Sequence, residues 1–247
     1  MKGPAPYSFS DGFEEPYIRL RAKEGRIFND SAVINLPYVD KANPNYKEWK
    51  IRAHSFKKLM AHIKHKGTGL DMLEVGCGNG WLSAQLAAAT TGTVIGTDIN
   101  NTELEQARRV FYQRPNLSFV NCDIRDHVPG DQKFDIIVFA ASIQYFSSLK
   151  EILDVALENL SEQGEIHILD SHFYQASEIE AARQRTKDYY ASMAFDVLTN
   201  YYYHHSIEEL NGYQYKLLQN PYSWKNKLSA VKNPFHWIVL KKQALEK

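Results

Sequence analysis

The sequence predicts an α/β fold: a doubly wound seven-stranded sheet, mostly parallel with one antiparallel late strand, with helices on both faces, an N-terminal helical cap and a lid insertion. Three observations carry that prediction. Short apolar runs alternate with helix-period segments from residue 70 to residue 171. A glycine turn, "EVGCGNG", sits between the first such run and the first helix. Two late apolar runs, "YQYKLLQNP" and "FHWIVLKK", have no long helix between them, so they should pair antiparallel.

Residues 1–45 are punctuated by Gly3-Pro4, Pro6, Asp11-Gly12, Pro16, Pro37 and Asn43-Pro44 and show little period. Between Asn45 and Lys64, Trp49, Ala53, Phe56, Leu59, Met60 and Ile63 fall at helical spacing, and Gly67 and Gly69 stop that helix. Residues 1–66 therefore read as the cap, and 67–247 as the main domain. Within the latter, "LDMLEV" is the first strand and a helix runs from about Trp81 to Ala89. "GTVIGTDI" is the second strand, and "TELEQARRVFYQ" a helix with Thr102 as its N-cap. "LSFVNCD" is a short third strand. "FDIIVFAAS" is apolar throughout, as a strand buried on both faces should be. A helix over "SLKEILDVALENLS" ends near Gly164, and "EIHILDS" is the fifth strand. The pattern then breaks into an insertion, 171–205, holding the charged helix "SEIEAARQRTKDYYASMAF" and the tail "NYYYHH".

Composition narrows the function. Hydrophobic residues are 44% and charged residues 23% of the 247, which is globular and not disordered usage. Lys+Arg and Asp+Glu are both 29, so there is no basic excess of the kind nucleic-acid binders carry. The two cysteines, Cys77 and Cys122, make no disulfide framework and lack zinc-ligand spacing, so no metal site is expected. No stretch approaches eighteen consecutive apolar residues, and the N-terminus has no signal-peptide core. A cytoplasmic location without a membrane partner is the expectation.

The glycine turn has two readings. Gly76 and Gly78 fit the first part of a dinucleotide fingerprint, but its third glycine position is Trp81, and the third glycine arrives one residue early at Gly80. No Gly-Lys-Ser/Thr follows, which excludes a P-loop. An acid followed by G-x-G-x-G at the end of a first strand instead resembles the class I S-adenosylmethionine-dependent methyltransferases. Asp98 in "VIGTDIN", Asp123 in "VNCDI" and the segment "FDIIVFAASIQYF" extend the resemblance from about Asp71 to Ser171. All lie at C-terminal ends of predicted parallel strands, where open α/β sheets bind ligands.

The resemblance implies S-adenosylmethionine as cofactor, with S-adenosylhomocysteine as its product. It implies that Glu74 orients the cofactor amino group or anchors the turn, and that Gly76, Cys77, Gly78 and Gly80 form a backbone wall. Asp98 would hold the ribose, Ile99 would pack on the adenine, and Asp123 and Ile124 would contact the base. Ala140 would offer its carbonyl to the methionine ammonium, with Ala141 and Ser142 beside it. Instead of the "NPPY" or "DPPY" tetrad of amino-group methylation on nucleic acid or protein, this chain has "AASIQYF". A small-molecule acceptor methylated on O, N or C is the reading left. Candidate acid–base groups are Tyr145, His172 with Tyr174, His204 and His205. Trp49 and Arg52, with Tyr46, lie near one face of the cap helix and could fold over the cofactor. The alternatives are a nicotinamide-dependent oxidoreductase, a methyltransferase of RNA or protein, and a non-catalytic S-adenosylmethionine-binding protein.

Overall fold

The computed structural model describes residues 12–130 and 132–243; the turn-rich opening through Asp11 lies outside them. Five strands, β1 (Met72–Val75), β2 (Val94–Asp98), β3 (Leu117–Asn121), β4 (Phe134–Ala140) and β5 (Leu160–Ser171), pair in parallel in the order 3-2-1-4-5. A second, two-stranded parallel piece joins β6 (Phe173–Tyr174) to β7 (His205–Ser206) and pins the two ends of the insertion together. The late strands β8 (Gln214–Gln219) and β9 (His236–Lys241) complete a seven-stranded sheet. β9 inserts antiparallel between β5 and β8, so six strands run one way and one runs against them.

Alternation along the strands builds two cores. Leu73, Val75, Ile137, Phe139, Ile166 and Ile168 face one way and meet Ile152 and Leu153 of the helix Leu149–Glu158. Met72, Val94, Ile136 and Val138 face the other way and meet Leu59 and Ile63 of the helix Tyr46–Lys64 and Leu82 and Leu86 of the helix Trp81–Ala89. Successive side chains on a strand point to opposite faces, so the unbroken apolar run of β4 is the mark of a strand covered on both sides. Each fully buried Ile, Leu or Phe contributes roughly 1.5–3 kcal/mol.

Three local expectations change. The helix after β2 runs Asn101–Phe111, and Asn100, not Thr102, caps it, accepting from the Glu103 N–H at 3.1 Å. Thr102 instead donates its hydroxyl to Glu14 at 2.5 Å. β5 begins at Leu160, before Gly164, because Leu160 pairs with Phe134 across an irregularity in the register. In the stretch read as turn-rich, Glu14–Lys23 and Asp30–Val33 are helices. The first has little apolar period. What it buries, Leu20, together with Phe13 just before it, packs on Tyr190 and Leu198 of the insertion. Cap and lid are thus one aromatic cluster.

Gly80 explains why the third glycine comes one residue early. It has φ +73°, and a Cβ there would lie 2.5 Å from the Phe119 ring and 2.8 Å from Ala107 Cβ. It closes the turn onto β3 and the helix Asn101–Phe111, and the ligand side is left to Gly76 and Gly78. Gly80→Ala combines left-handed backbone strain with overpacking, so it should destabilise by about 2–4 kcal/mol. Urea unfolding checks this, and a midpoint equal to wild type would mean that the turn relaxes freely.

Candidate active site

The strand order reverses between β1 and β4, and the cavity opens there, at the carboxyl ends of the strands. The space between its walls, open solvent at the mouth included, is about 1240 Å³.

The floor is backbone. Gly76 and Gly78 have φ +74° and +52°, and a Cβ on Gly76 would come 2.5 Å from Ser142 Cβ. The Ser142 hydroxyl donates to the Val75 carbonyl at 2.6 Å, tying the loop after β4 to the end of β1. Ala141 beside it is a non-glycine residue at φ +57°, a strained conformation held by this packing. These bare peptides fit a ligand that must approach the main chain closely.

One wall is acidic. The Asp98 carboxylate accepts from the N–H groups of Gly78 and Asn100, both at 2.8 Å. Burial raises its pKa against those two bonds. Burial, then the nearby Asp98 charge, pushes Glu103 up to about 7. Burial pushes Glu74 up to about 8, although Ser83 donates to it at 2.5 Å. At neutral pH Glu74 is therefore mostly a neutral acid, desolvated and waiting for a cation. Asp123 also lines the cavity, but its carboxylate is engaged by Arg125, with contacts of 2.5 and 3.0 Å. Any base amino group would have to share it.

The opposite wall comes from the cap: Phe13, Tyr17, Arg21 and Arg26, then Trp49 and Arg52. Sequence reasoning reached the last two and missed the first four. The one available signal was the i,i+4 spacing of Tyr17 and Arg21, which places both on one helix face.

A methyltransferase-domain family matches residues 66–228, two thirds of the chain. The chain belongs to the class I S-adenosylmethionine-dependent methyltransferases. Malonyl-[acyl-carrier protein] O-methyltransferase of Halalkalibacterium halodurans is 31% identical over 84 residues, covering 32% of this chain and 31% of that one. The Ilyobacter polytropus enzyme of the same description is 28% identical over 122 residues, 46% and 44% of the two chains. The chain thus spans about a third to a half of the curated relatives it matches. Among solved structures, the YcgJ protein of Bacillus subtilis superposes with TM-score 0.60 at 16% identity, over 78% of this chain and all of that one. Magnesium protoporphyrin IX methyltransferase of Synechocystis, with S-adenosylhomocysteine bound, superposes with TM-score 0.55 at 12% identity, over 95% and 96%. These two likenesses speak to the fold.

Of the positions that the family resemblance singles out in this methyltransferase, Glu74, Gly76, Cys77, Gly78, Asp98 and Ile99 line the cavity. So do Asp123, Ile124, Ala140, Ala141 and Ser142, and Tyr145 from the acid–base candidates. Gly80 does not, because it packs against Phe119. His172, His204 and His205 do not line it either. His172 is exposed, with its ring 4.6 Å from that of Phe235. His204 Nε2 pairs with the Thr186 hydroxyl at 2.9 Å, with Tyr174 stacked behind it. His205 Nε2 donates to the Ile143 carbonyl at 3.2 Å. Of the three rings, only that of His204 bonds within the lid, while His205 reaches the loop after β4 and His172 makes ring contacts, because β6 and β7 hold that end of the insertion outside the switch point.

Among the described residues, one group has metal-ligand spacing: His62, Glu165 and His167. Its geometry is that of an ion-pair hub. Glu165 takes Lys66 at 2.9 Å, Lys241 at 3.0 Å and His62 at 2.7 Å. Burial opposes its ionisation, but these partners with His167 hold its carboxyl far below the usual range. The Trp237 indole donates to His167 Nδ1 at 3.2 Å, which leaves the proton on Nε2, where a metal would need a lone pair.

A group whose folded pKa lies above its unfolded value contributes stability that is full at low pH and lost as pH rises through the folded pKa. For Glu74 that window runs from about 4.5 to about 8. Glu74→Gln should therefore gain stability relative to wild type, cofactor-free, as pH rises from 5 to 8.5, by up to about 4 kcal/mol at about 1.4 kcal/mol per unit. Thermal scans of both proteins across that range check it. The histidines with lowered pKa cancel in the difference, and a flat difference would refute the raised acid.

Proposed function

We propose that this chain transfers the methyl group of S-adenosylmethionine to a small-molecule acceptor, on O, N or C. The observation that carries this reading is the coincidence, in one cavity, of the glycine floor with aromatic rings from the cap and from the loop after β4, Phe13, Tyr17, Trp49 and Tyr145. A concave site of this kind suits a molecule of modest size better than a flat nucleic-acid or protein surface. The curated relatives that act on malonyl-[acyl-carrier protein] methylate oxygen, which keeps O-methylation foremost.

When bound, the cofactor would supply an electrophilic methyl group on a sulfonium, to be taken by the acceptor's nucleophile as the S–CH3 bond breaks and S-adenosylhomocysteine leaves. The chain's own residues supply position. The bare peptides of Gly76 and Gly78 admit the methionine portion. The Asp98 carboxylate accepts from the ribose hydroxyls, with Glu103 beside it. Ile99 and Ile124 are apolar surfaces for the base, and the Ala140 carbonyl is placed for the ammonium. Glu74, neutral when the cavity is empty, gains a reason to ionise when a cation lies near. Tyr145 is the side chain from the loop after β4 best placed to meet an acceptor hydroxyl or amine. The aromatic rings of the cap, lying over a bound acceptor, would keep water from it and strengthen the polar contacts inside. In-line alignment in such a site accounts for most of the rate a methyl transfer needs.

S-adenosylhomocysteine should raise the melting temperature, and NAD should not, since a ligand of the native state stabilises by mass action. A shift with NAD alone would return the chain to the oxidoreductases. Asp98→Asn should weaken S-adenosylhomocysteine binding by about tenfold to a hundredfold, because hydrogen bonds to a charged acceptor contribute roughly 1.5–3 kcal/mol each. Calorimetry on the folded variant checks this, and unchanged affinity would remove Asp98 from the site.

A further inference from the structure

A chain of alternating charges runs along the cap wall of the cavity. Arg21 Nη1 meets Glu24 at 3.1 Å, and Glu24 meets Arg26 Nε at 3.1 Å. Arg26 Nη2 meets Glu48 at 2.6 Å, and Glu48 meets Arg52 Nε at 3.1 Å. The five side chains are only 10–28% exposed, and the buried Asp170 carboxyl adds its charge at the Arg52 end.

The two ends of this chain lie in different surroundings. Arg52 sits over Trp49, at 5.3 Å, and Trp49 packs on Trp81, the first helical residue after the glycine turn. That is the end nearest the cofactor floor. Arg21 lies in the aromatic chamber instead. It is 4.8 Å over the Tyr17 ring and donates from Nη2 to the Tyr145 hydroxyl at 3.2 Å. Phe13 meets Tyr145 edge-on at 5.9 Å and Tyr201 at 5.2 Å. A guanidinium has five N–H donors in a planar fork. Glu24, the Tyr145 hydroxyl and the Tyr17 hydroxyl leave at least two of them for a ligand. A phenol cannot neutralise the charge, and Glu24 is already shared with Arg26.

We propose that the acceptor is a flat apolar molecule bearing one carboxylate, and that Arg21 holds the carboxylate while Tyr17, Tyr145 and Phe13 enclose the flat body. The planar fork matches a carboxylate in two parallel bonds. The ring faces and edges of the chamber match an unsaturated body. This inference rests on the methyltransferase reading and names the substrate class of the same cavity.

The test uses the full chain saturated with S-adenosylhomocysteine and three probe pairs: benzoate, trans-cinnamate and 2-naphthoate, each against its carboxamide. Calorimetry and thermal shift should show at least one carboxylate binding tenfold or more tightly than its amide. Arg21→Gln should abolish the preference while holding S-adenosylhomocysteine affinity within threefold. Arg21→Lys, which keeps the charge and loses the fork, should retain part of it. The wild-type comparison stands by itself should Arg21→Gln fold poorly. Absence of any carboxylate preference in the wild type overturns the proposal, as does a preference that survives Arg21→Gln. Loss of S-adenosylhomocysteine binding by tenfold in either variant also overturns it, since the guanidinium would then serve the cofactor. Failure of the wild type to bind S-adenosylhomocysteine at all is a separate result, and it defeats the methyltransferase reading along with this one.

Discussion

The hydrogen bond from Ser142 to the Val75 carbonyl, at 2.6 Å, is the contact on which the site depends. It joins the ends of β1 and β4 where the strand order reverses, the one place where neighbouring strands send their following segments to opposite faces. The brace works only because Gly76 has no side chain: a Cβ there would occupy the space of Ser142 Cβ. The glycine does two things at once, giving the ligand bare backbone and letting the β4 loop close down. The strain at Ala141 is the local cost of that closure.

The electrostatics follow from where this brace puts the cavity walls. The ends of β1 and β2 and the first turn of the helix Asn101–Phe111 bring Glu74, Asp98 and the half-buried Glu103 together on one side, and desolvation raises all three. The cap brings arginines to the other side, each tied to a glutamate. An empty cavity thus holds acids that resist ionisation facing cations that cannot lose their charge. Such a site favours a ligand with positive and negative parts in a fixed order, cation toward the strands and anion toward the cap. An inert cavity would have no reason to segregate the two signs.

Much of this was legible in the sequence because it is local and periodic. The β1–glycine turn–helix unit, the acids at the ends of β2 and β3, and the unbroken apolar run of β4 all announce themselves within a few residues. The helix Glu14–Lys23 does not. Leu20 is its only buried apolar residue, and its partners Tyr190 and Leu198 are 170 or more residues away, so no window of sequence contains the contact. Arg21 and Arg26 escaped for the same reason, since arginines in a turn-rich stretch look like solvated surface until the opposite wall is known. The histidines erred in the other direction. His172, His204 and His205 suited proton transfer by residue type and followed the right strand, but the short β6–β7 pairing turns that segment away from the cavity.

That same pairing shows how the lid acts on the site without entering it. The Tyr203 N–H donates to the Gln144 carbonyl at 2.7 Å, and His205 holds the Ile143 carbonyl. The loop after β4 is therefore held at three successive residues, by Ser142 on Val75 and by the lid on Ile143 and Gln144. Tyr145 follows them directly, 6.0 Å from Tyr17 and 5.9 Å from Tyr202, ring to ring. A displacement of the lid would act on Ile143 and Gln144, the residues that lead into Tyr145. His205 and the Tyr203 N–H thus reach the cavity-lining loop through the backbone they hold, which is how a segment outside the cavity bears on its shape.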